Sequence, residues 1–378
     1  DTIQSRGLGD VYKRQEFILI GDQTKGENSM NFYTNTHPYY CGIDLHTRLL
    51  YVCIIDNENN ILVHEKIDDS PDKLLALLKP YLGNIVVGVE CMHCWYWVSD
   101  FCEEHNIDFI LGHALYMKAI HAGKTKNDKI DALKIAKLMR GGNFPLAHAY
   151  SKEHRSIRDA LRRRTHIMRM SAQLKAHVAS TVSQYNLPVL ETRLDLRNSP
   201  DREKMRHFFP DEAVQKSMDL NLNIIETMVS ELYKIEHYVK TQAQTHCATD
   251  LHILKSFPGI GKILALTILY EVGDIKRFSS VQKFASYSRL VKCKAESAGK
   301  THGTQGNKIG NAHLKWAFSE AAVLYLKGND NAKRYLAKLQ KRMSKAKALS
   351  ALAHKIGRCT YFMLKNQQVF DEERFLNG

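Results

Sequence analysis

The N-terminal part of the chain alternates short β-rich runs with turns. Apolar and β-branched residues fill 40–45, 50–55 and 61–67, and a polar turn at 56–60 joins the last two runs. This pattern predicts an antiparallel meander of three strands. Ser70 and Pro71 then predict the start of a helix that continues to about residue 82. The nearly all-apolar run 84–90 predicts a central strand that is buried on both faces.

The next segments continue the alternation of strands and helices. The pattern predicts a helix over 95–105, a strand over 108–111 and an acidic helix over 127–140. Together with the meander, these segments predict an α/β domain with a mixed sheet and helices packed on it. Residues 1–29 show no periodicity and resemble translated adapter sequence, with Met30 as a plausible start. Residues 1–36 are therefore predicted to be a disordered or non-native leader.

From residue 151 the periodicity becomes helical. Two long amphipathic segments, 151–185 and 213–244, predict an antiparallel helical hairpin that serves as a spacer or a dimerising coiled coil. A Phe-Pro-Gly-Ile-Gly stretch at 257–261 then predicts a tight turn between two helices. Residues 295–311 contain four glycines and predict a mobile loop. Residues 331–358 carry nine Lys and Arg and no acid on a helical pattern.

Charge and composition narrow the partners. The 378 residues include 54 Lys and Arg against 40 Asp and Glu, a formal net charge of +14, which predicts a polyanionic partner. No apolar run reaches the roughly 18 residues needed to cross a bilayer, and no signal peptide is visible. We therefore expect a cytoplasmic protein without a membrane partner. The eight cysteines are most simply reduced core residues, because no second Cys-x-x-Cys accompanies Cys91 and Cys94.

Four carboxylates suggest metal chemistry. Asp128 and Asp131 are three residues apart, so they share one face of the predicted helix. Asp44 and Glu90 end predicted strands inside apolar runs, where a lone carboxylate is costly to bury. Taken singly, each has a structural alternative, since strand-end acids often face water and acids at a helix start complement the helix dipole. Jointly, four acids at three sheet or helix ends match the layout of a two-metal site for Mg²⁺ or Mn²⁺.

Candidate contacts to nucleic acid fall in four places along the chain: a basic run in the first long helix, the glycine turn, the glycine-rich loop and the basic C-terminal stretch. The alternative for the basic run is a solvated charged face, and the alternative for the glycine turn is plain helix packing through glycine. A nucleotide-binding P-loop is excluded, because Ile263 replaces the required Ser or Thr. On composition alone, Ser297 is a turn serine. The candidates are Arg162, Arg163, Arg164, Gly259, Gly261, Lys262, Lys300, Lys308, Lys341 and Arg342.

Several of these motifs resemble one known family. They are Gly-Ile-Asp at 42–44, Gly-Val-Glu at 88–90, Lys-Asn-Asp-Lys-Ile-Asp-Ala at 126–132, Phe-Pro-Gly-Ile-Gly at 257–261, Glu-Ser-Ala-Gly-Lys at 296–300 and Gly-Asn at 310–311. Their order and spacing resemble the DEDD transposases of the IS110 family of insertion sequences. The similarity runs from about residue 39 to the mid-320s. Many relatives have Gly-Leu-x-Pro before the serine, whereas this chain has Arg-Leu-Val-Lys at 289–292. The difference affects how the chain enters the loop that carries Ser297.

The resemblance implies a fold, a mechanism and partners. It implies a RuvC-like, RNase H-like sheet domain at 37–150, a coiled-coil spacer at 151–250, a mainly helical transposase domain at 251–345 and a basic helical tail at 346–378. Asp44, Glu90, Asp128 and Asp131 would bind Mg²⁺ or Mn²⁺, and Ser297 would be the nucleophile. The implied partners are donor and target DNA and a structured, element-encoded bridge RNA. We expect a dimer or tetramer in which protomers share active sites.

Two other functions stay open at this point. The first is a RuvC-like nuclease that cleaves DNA junctions with water as the nucleophile, in which case Ser297 is only a loop residue. The second is a non-catalytic nucleic-acid scaffold, such as a decayed mobile element. The intact set of four acids argues against the scaffold.

Overall fold

The computed structural model describes residues 31–120, 128–187, 195–209, 211–291, 293–297, 300–305 and 309–377. The chain forms two compact units that divide between Ala149 and Tyr150. The predicted leader lies outside these ranges up to residue 30. The finer division of the chain into five segments stays a prediction.

The first unit is built on a seven-stranded mixed sheet. Its strands are β1 Phe32–Tyr33, β2 Tyr39–Leu45, β3 Leu49–Asp56, β4 Ile61–Asp68, β5 Ile85–Glu90, β6 Asp108–Gly112 and β7 Phe144–Ala147. Its helices are α1 Pro71–Leu78, which continues as a 3-10 turn over Lys79–Tyr81, and α2 Tyr96–Glu104, α3 Ala114–Ile120 and α4 Asp128–Arg140. The strand order is β1-β7-β6-β5-β2-β3-β4.

The topology agrees with the pattern of the sequence. Strands β2, β3 and β4 pair antiparallel as the predicted meander, whereas β5 pairs parallel with both β2 and β6. Strand β5 is central and buried along almost its whole length, as its apolar run predicts. Helices α1 and α2 pack on one face of the sheet, and α4 packs on the other. The predicted mixed α/β sheet is therefore confirmed.

The two strands at one end of the sheet, β1 and β7, escaped the sequence pattern. Phe32 and Tyr33 form β1, which pairs antiparallel with Phe144 and Pro145 of β7. Tyr33 is buried in the core on the α4 side of the sheet. The prediction that the leader extends to residue 36 is therefore wrong at its end. A two-residue strand is too short to show periodicity, and its partner lies more than a hundred residues away.

The second unit is mainly helical. Its helices are α5 Lys152–Gln184, α6 Ser199–Arg206, α7 Glu212–His246, α8 Ala248–Lys255, α9 Lys262–Val272, α10 Val281–Tyr287, α11 Ala312–Tyr325, α12 Asp330–Gln340, α13 Lys345–Asn366 and α14 Glu372–Asn377. A 3-10 turn spans Ile275–Arg277 between α9 and α10. Strands β8 Cys293–Ser297 and β9 Lys300–Gln305 form a separate antiparallel pair.

The two long helices pack antiparallel, as predicted. Ile157, near the start of α5, shares a core with Val239, near the end of α7. Val178, near the end of α5, packs with Leu222, near the start of α7. The same core that holds Ile157 also contains Leu352 of α13, so the region predicted as a basic tail packs inside the second unit.

The glycine turn joins α8 to α9, as predicted. Gly259 has φ +106°, a conformation that suits glycine. A Cβ on Gly259 would lie 2.7 Å from the backbone N of Tyr325, so the glycine allows close packing against α11. None of the helices in the described ranges combines the length and apolar character that crossing a bilayer requires.

The glycine-rich segment 295–311 is not simply a loop. The backbones of β8 and β9 pair from Cys293 and Gln305 to Ser297 and Lys300, with an irregularity between Lys294 and Glu296. The predicted mobile loop is therefore corrected to a β-hairpin within residues 293–305. Backbone pairing between neighbouring segments needs no apolar alternation, which is why the Gly, Thr and Lys composition did not indicate strands.

Candidate active site

Asp44 and Glu90 lie side by side at one edge of the sheet. Strands β2 and β5 are parallel, and Ile43 pairs with Val89, so the two acids are the next residues at the carboxyl ends of adjacent strands. Side chains alternate between the faces of a strand. Tyr40 and Val86 belong to the core on the α4 side, so Asp44 and Glu90 point to that same side.

Helix α4 brings a third acid to this face. A Cβ on Gly42 would lie 2.5 Å from the backbone N of Ala136, so α4 packs directly on β2 two residues before Asp44. The His64 imidazole donates through Nε2 to the carbonyl of Lys129 (2.7 Å), which ties the first turn of α4 to β4. Asp131 follows in that same turn.

Two of the described acids have a cationic or imidazole neighbour. Asp44 is only 8% exposed, and its Oδ2 lies 3.3 Å from Nε2 of His46. Lys134 donates to Oδ1 of Asp131 at 2.8 Å. The side chain of the fourth predicted ligand, Asp128, falls outside the described residues.

The carboxylates suit a hard cation, but those that are described do not close around one. Oxygen donors of this kind are the usual ligands of Mg²⁺. Across residues 31–120, 128–187 and the later described ranges, no group of three or more His, Cys, Asp or Glu side chains converges closely enough to hold a metal ion. Asp44, Glu90 and Asp131 thus share a face of the sheet without forming a complete metal site.

Ser297 occupies the end of the hairpin in the second unit. It is the last residue of β8 and pairs with Lys300, the first residue of β9. The side chains of Ser297 and Lys300, and all of Lys308, lie outside the described residues. The described residues that flank the hairpin on either side are tied to each other and to α10. Arg289 Nε donates to the carbonyl of Ile309 (3.0 Å), and the backbone amide of Asn311 donates to the carbonyl of Tyr287 (2.6 Å).

The predicted basic run on α5 divides into paired and exposed residues. Arg162 donates to both carboxylate oxygens of Glu271, at 2.7 and 2.8 Å. Arg164 lies 2.7 Å from Glu236 on α7. Arg163 is exposed. Two of its three guanidinium groups thus bind carboxylates of the same unit, and phosphate contact by Arg162, Arg163 and Arg164 stays a prediction.

The other candidate contacts to nucleic acid differ in exposure. Gly259 is partly buried and packs on α11, whereas Gly261 and Lys262 are exposed at the start of α9. Lys341 and Arg342 are exposed in the turn between α12 and α13. Phosphate contact at Gly261, Lys262, Lys341 and Arg342 stays a prediction.

Sequence reasoning missed a buried polar cluster in the second unit. Glu271 is 2% exposed near the end of the apolar helix α9. Burial alone would raise its pKa, but the hydrogen bonds and charge of Arg162, together with Asn311, hold the pKa below its ordinary value. A single carboxylate inside an apolar run was the sequence feature that marked this position.

Comparison with known proteins identifies the family. Residues 41–187 match the DEDD-type model for IS110 elements, described as "Transposase". Residues 251–337 match the model described as "Transposase IS116/IS110/IS902 family". Together the two models cover more than half of the chain, and their order is the order of the two motif blocks in the sequence.

Individual relatives are distant in sequence. The y4qE protein of Sinorhizobium fredii is 23% identical over 227 residues, which is 60% of this chain and 55% of that protein. The "Transposase for insertion sequence element IS1111A" of Coxiella burnetii is 21% identical over 338 residues, 87% of this chain and 90% of that protein. The "Transposase for insertion sequence element IS1533" of Leptospira borgpetersenii is 20% identical over 259 residues, with shares of 63% and 70%.

An RNase H-like domain of the DEDD type, followed by a helical transposase domain, defines a class of insertion-sequence transposases. The chain belongs to the IS110 family of these enzymes.

Proposed function

We propose that this transposase cleaves and exchanges DNA strands through a covalent bond between DNA and Ser297. The observation that carries the proposal is the position of Ser297, at the end of a hairpin. The described residues that flank this hairpin are hydrogen-bonded to each other and to α10. A nucleophile held on rigid elements needs little reorganisation before it reacts. This hairpin lies within the stretch that matches the transposase model.

The chemistry is a phosphoryl transfer in two steps. The Ser297 hydroxyl loses its proton and attacks the phosphorus atom of a DNA phosphodiester, and the bond from phosphorus to one deoxyribose oxygen breaks. That oxygen leaves as a hydroxyl after it takes up a proton. The hydroxyl of a second strand then attacks the phosphoserine, and the serine is released. One phosphoester bond replaces another at each step, so strand exchange needs no ATP.

The acids of the first unit are proposed to support the same reaction. Asp44, Glu90, Asp128 and Asp131 would hold Mg²⁺ or Mn²⁺, which would neutralise negative charge on the reacting phosphate. Asp44 and Glu90 are fixed by strands β2 and β5, and Asp131 is fixed by the packing of α4 on Gly42. Replacing one of these carboxylates should therefore abolish cleavage without unfolding the sheet.

Nucleic acid is the proposed partner. The net charge of +14 and the exposed residues Arg163, Lys341 and Arg342 support binding to a polyanion. The resemblance to the IS110 family supports a structured bridge RNA in addition to donor and target DNA. Sequencing the RNA that co-purifies with the protein tests this part of the proposal. Recovery of only random cellular fragments would contradict it.

A cleavage assay tests the nucleophile. We expect Ser297→Ala to lose strand cleavage at least about 1,000-fold while still binding DNA. The matched control is Ser350→Ala, because Ser350 is an exposed serine whose Oγ donates only to the Ala346 carbonyl of its own helix. If Ser297→Ala cleaves DNA like the wild type, water is the nucleophile and the protein is a nuclease of the RuvC type.

Variants of the acids test catalysis against scaffolding. Asp131→Asn should bind DNA normally and fail to cleave it in the presence of Mg²⁺. Wild-type recombination by Asp131→Asn would instead favour a non-catalytic role for the acids.

Mixing Asp131→Asn with Ser297→Ala tests whether protomers of a dimer or tetramer share active sites, since sharing predicts partial recovery of cleavage. Two inactive variants that stay inactive when mixed would contradict sharing.

A further inference from the structure

One buried carboxylate in the second unit calls for a physical explanation. Glu271 lies on α9, a helix in which every residue from Leu264 to Val272 is buried. Moving an ionised carboxylate out of water is costly unless charge and hydrogen bonds compensate for the lost hydration. A hydrophobic residue would fill the same position at no such cost.

Three side-chain hydrogen bonds compensate the Glu271 carboxylate. Arg162 of α5 donates two, in the bidentate geometry that fits a carboxylate. Asn311 Nδ2 donates the third, to Oε2 at 2.7 Å. The Tyr150 hydroxyl also donates to the backbone carbonyl of Glu271 at 2.8 Å. Glu271 is thus bonded to the first long helix and to the residue that precedes α11.

Asn311 connects this cluster to the hairpin that carries Ser297. Its Oδ1 accepts from the amides of His313 and Leu314 and caps α11. Its own amide donates to the carbonyl of Tyr287 at the end of α10. The preceding residue, Gly310, has φ +93°, and a Cβ there would lie 2.5 Å from the Tyr287 carbonyl oxygen. The path of the chain from Gly310 into α11 is therefore fixed.

The residues that precede the hairpin are held at the same place, the end of α10. Arg289 follows α10 with φ +53°, and Leu290 donates its amide to the carbonyl of Ala285. Arg289 Nε then donates across to the Ile309 carbonyl. Described residues on both sides of the hairpin are consequently tied to the end of α10, and Asn311 joins those on the C-terminal side to the buried ion pair of Glu271 with Arg162.

We propose that Glu271 and Asn311 are positioning residues for Ser297, in that their hydrogen bond fixes the orientation of the β8–β9 hairpin. The proposal rests on the proposed function, in which Ser297 is the nucleophile. A buried charged pair adds little to stability compared with apolar packing, but its bidentate hydrogen bonds constrain the geometry of the groups that form them. A misplacement of about 1 Å at a reacting group costs about 100-fold in rate.

Asn311→Asp is the decisive variant. Aspartate is also a good N-cap, so α11 keeps its cap, whereas the donor to Glu271 is replaced by a second carboxylate. The chain offers a closely matched control in Asn329. This residue caps α12 by accepting from the Ala332 amide, and its Nδ2 donates to Glu372 at 2.8 Å. Asn329→Asp therefore makes the same chemical change at a different helix cap, that of α12.

Two measurements separate positioning from general stability. At saturating DNA, we expect Asn311→Asp to cleave about 10- to 100-fold more slowly than the wild type, with DNA affinity unchanged within about 2-fold. Hydrogen exchange of the backbone amides in 293–305 should be faster in Asn311→Asp. Asn329→Asp should change neither quantity. Glu271→Gln keeps the shape of the side chain and removes its charge. Like Asn311→Asp, it should lower the cleavage rate.

The outcomes distinguish this proposal from the proposed function. If Ser297→Ala is inactive and Asn311→Asp cleaves at the wild-type rate, the positioning role is wrong and the serine mechanism stands. If Ser297→Ala is fully active, the serine mechanism itself is wrong. A rate loss in Asn311→Asp that only follows the fraction of unfolded protein, or an equal loss in Asn329→Asp, also overturns the positioning role.

Discussion

Arg162 and Arg163 are neighbours on α5 with different environments. The Arg162 guanidinium binds both oxygens of buried Glu271, whereas Arg163 is exposed. Removing one partner of a buried pair leaves an uncompensated charge, which is more destabilising than losing a surface charge. The two positions therefore separate a structural arginine from a candidate for nucleic-acid binding.

We predict different effects for the two substitutions. Arg162→Met should lower the free energy of unfolding by about 3 kcal/mol, at the low end for buried pairs because the Arg162 side chain is 38% exposed. Arg163→Met should change it by less than about 0.5 kcal/mol and should weaken binding to DNA or RNA. Urea unfolding and a binding titration measure both quantities. Equal destabilisation by the two variants would contradict the assignment.

The sequence indicated some candidate positions and missed others for a physical reason. Asp44 and Glu90 were found because each interrupts an apolar run at a strand end. Glu271 interrupts an apolar run in the same way, but its partner Arg162 is 109 residues earlier in the chain. Asn311 was part of a recognised motif, but its bond to Glu271 depends on how α9 and α11 pack. Local patterns do not contain that information.

At the scale of elements, the packing of α4 on the sheet determines where Asp131 lies. Gly42 and Gly88 both face α4, but a side chain at each would meet different atoms. At Gly42 the obstacles are backbone atoms of Ala132 and Ala136, whereas at Gly88 they are the terminal atoms of the Met139 side chain. Backbone atoms of a helix cannot move separately, whereas a methionine side chain can change its rotamer.

We therefore predict that Gly42→Ala is more damaging than Gly88→Ala. Overpacking at Gly42 should cost about 1–3 kcal/mol in the free energy of unfolding and should displace the helix that carries Asp131. Gly88→Ala should cost less, because Met139 can adjust. Thermal unfolding and Mg²⁺-dependent cleavage measure the two effects. A Gly42→Ala protein with wild-type stability and cleavage would show that α4 does not depend on this close contact.

Elements with strong periodicity were predictable, and short or polar ones were not. The meander, the central strand β5 and the antiparallel pair α5 and α7 followed from their apolar patterns. Strand β1 has two residues and forms only because β7 offers its edge. The β8–β9 hairpin has no apolar alternation that would distinguish it from a loop. These elements depend on backbone pairing, which composition does not encode.

At the scale of the whole molecule, the net charge of +14 means that 14 cations would lack an acidic counterpart in the chain even if every acid were paired. The described cations include several on α5 and α7 that bind carboxylates of the same unit, as Arg164 binds Glu236. Lys341 and Arg342, by contrast, are exposed in the turn between α12 and α13. Exposed cations that bind phosphates release counterions from the nucleic acid, so affinity falls as salt rises.

Charge removal at this turn should change the salt dependence of binding. For duplex DNA, the slope of log affinity against log salt should become shallower in Lys341→Gln/Arg342→Gln by up to about 1.8, since each phosphate that a cation neutralises contributes about 0.9. The control is Lys216→Gln/Lys234→Gln, which also removes two charges, but from lysines already paired with Glu212 and Glu231. Equal slope changes in the two double variants would indicate a general charge effect and contradict a specific phosphate interaction at 341–342.

The covalent bond between Ser297 and DNA is the central claim, and it can be detected directly. Cleavage after Lys294 and Lys300 releases the peptide 295–300, in which Ser297 is the only hydroxyl-bearing residue. We predict that wild-type protein, stopped during reaction with DNA and digested with trypsin and nuclease, yields this peptide carrying a nucleotide phosphate on Ser297. Mass spectrometry should find the adduct with divalent metal and not in Asp131→Asn. Active protein that leaves this peptide unmodified, or modified at another residue of the chain, would contradict the account.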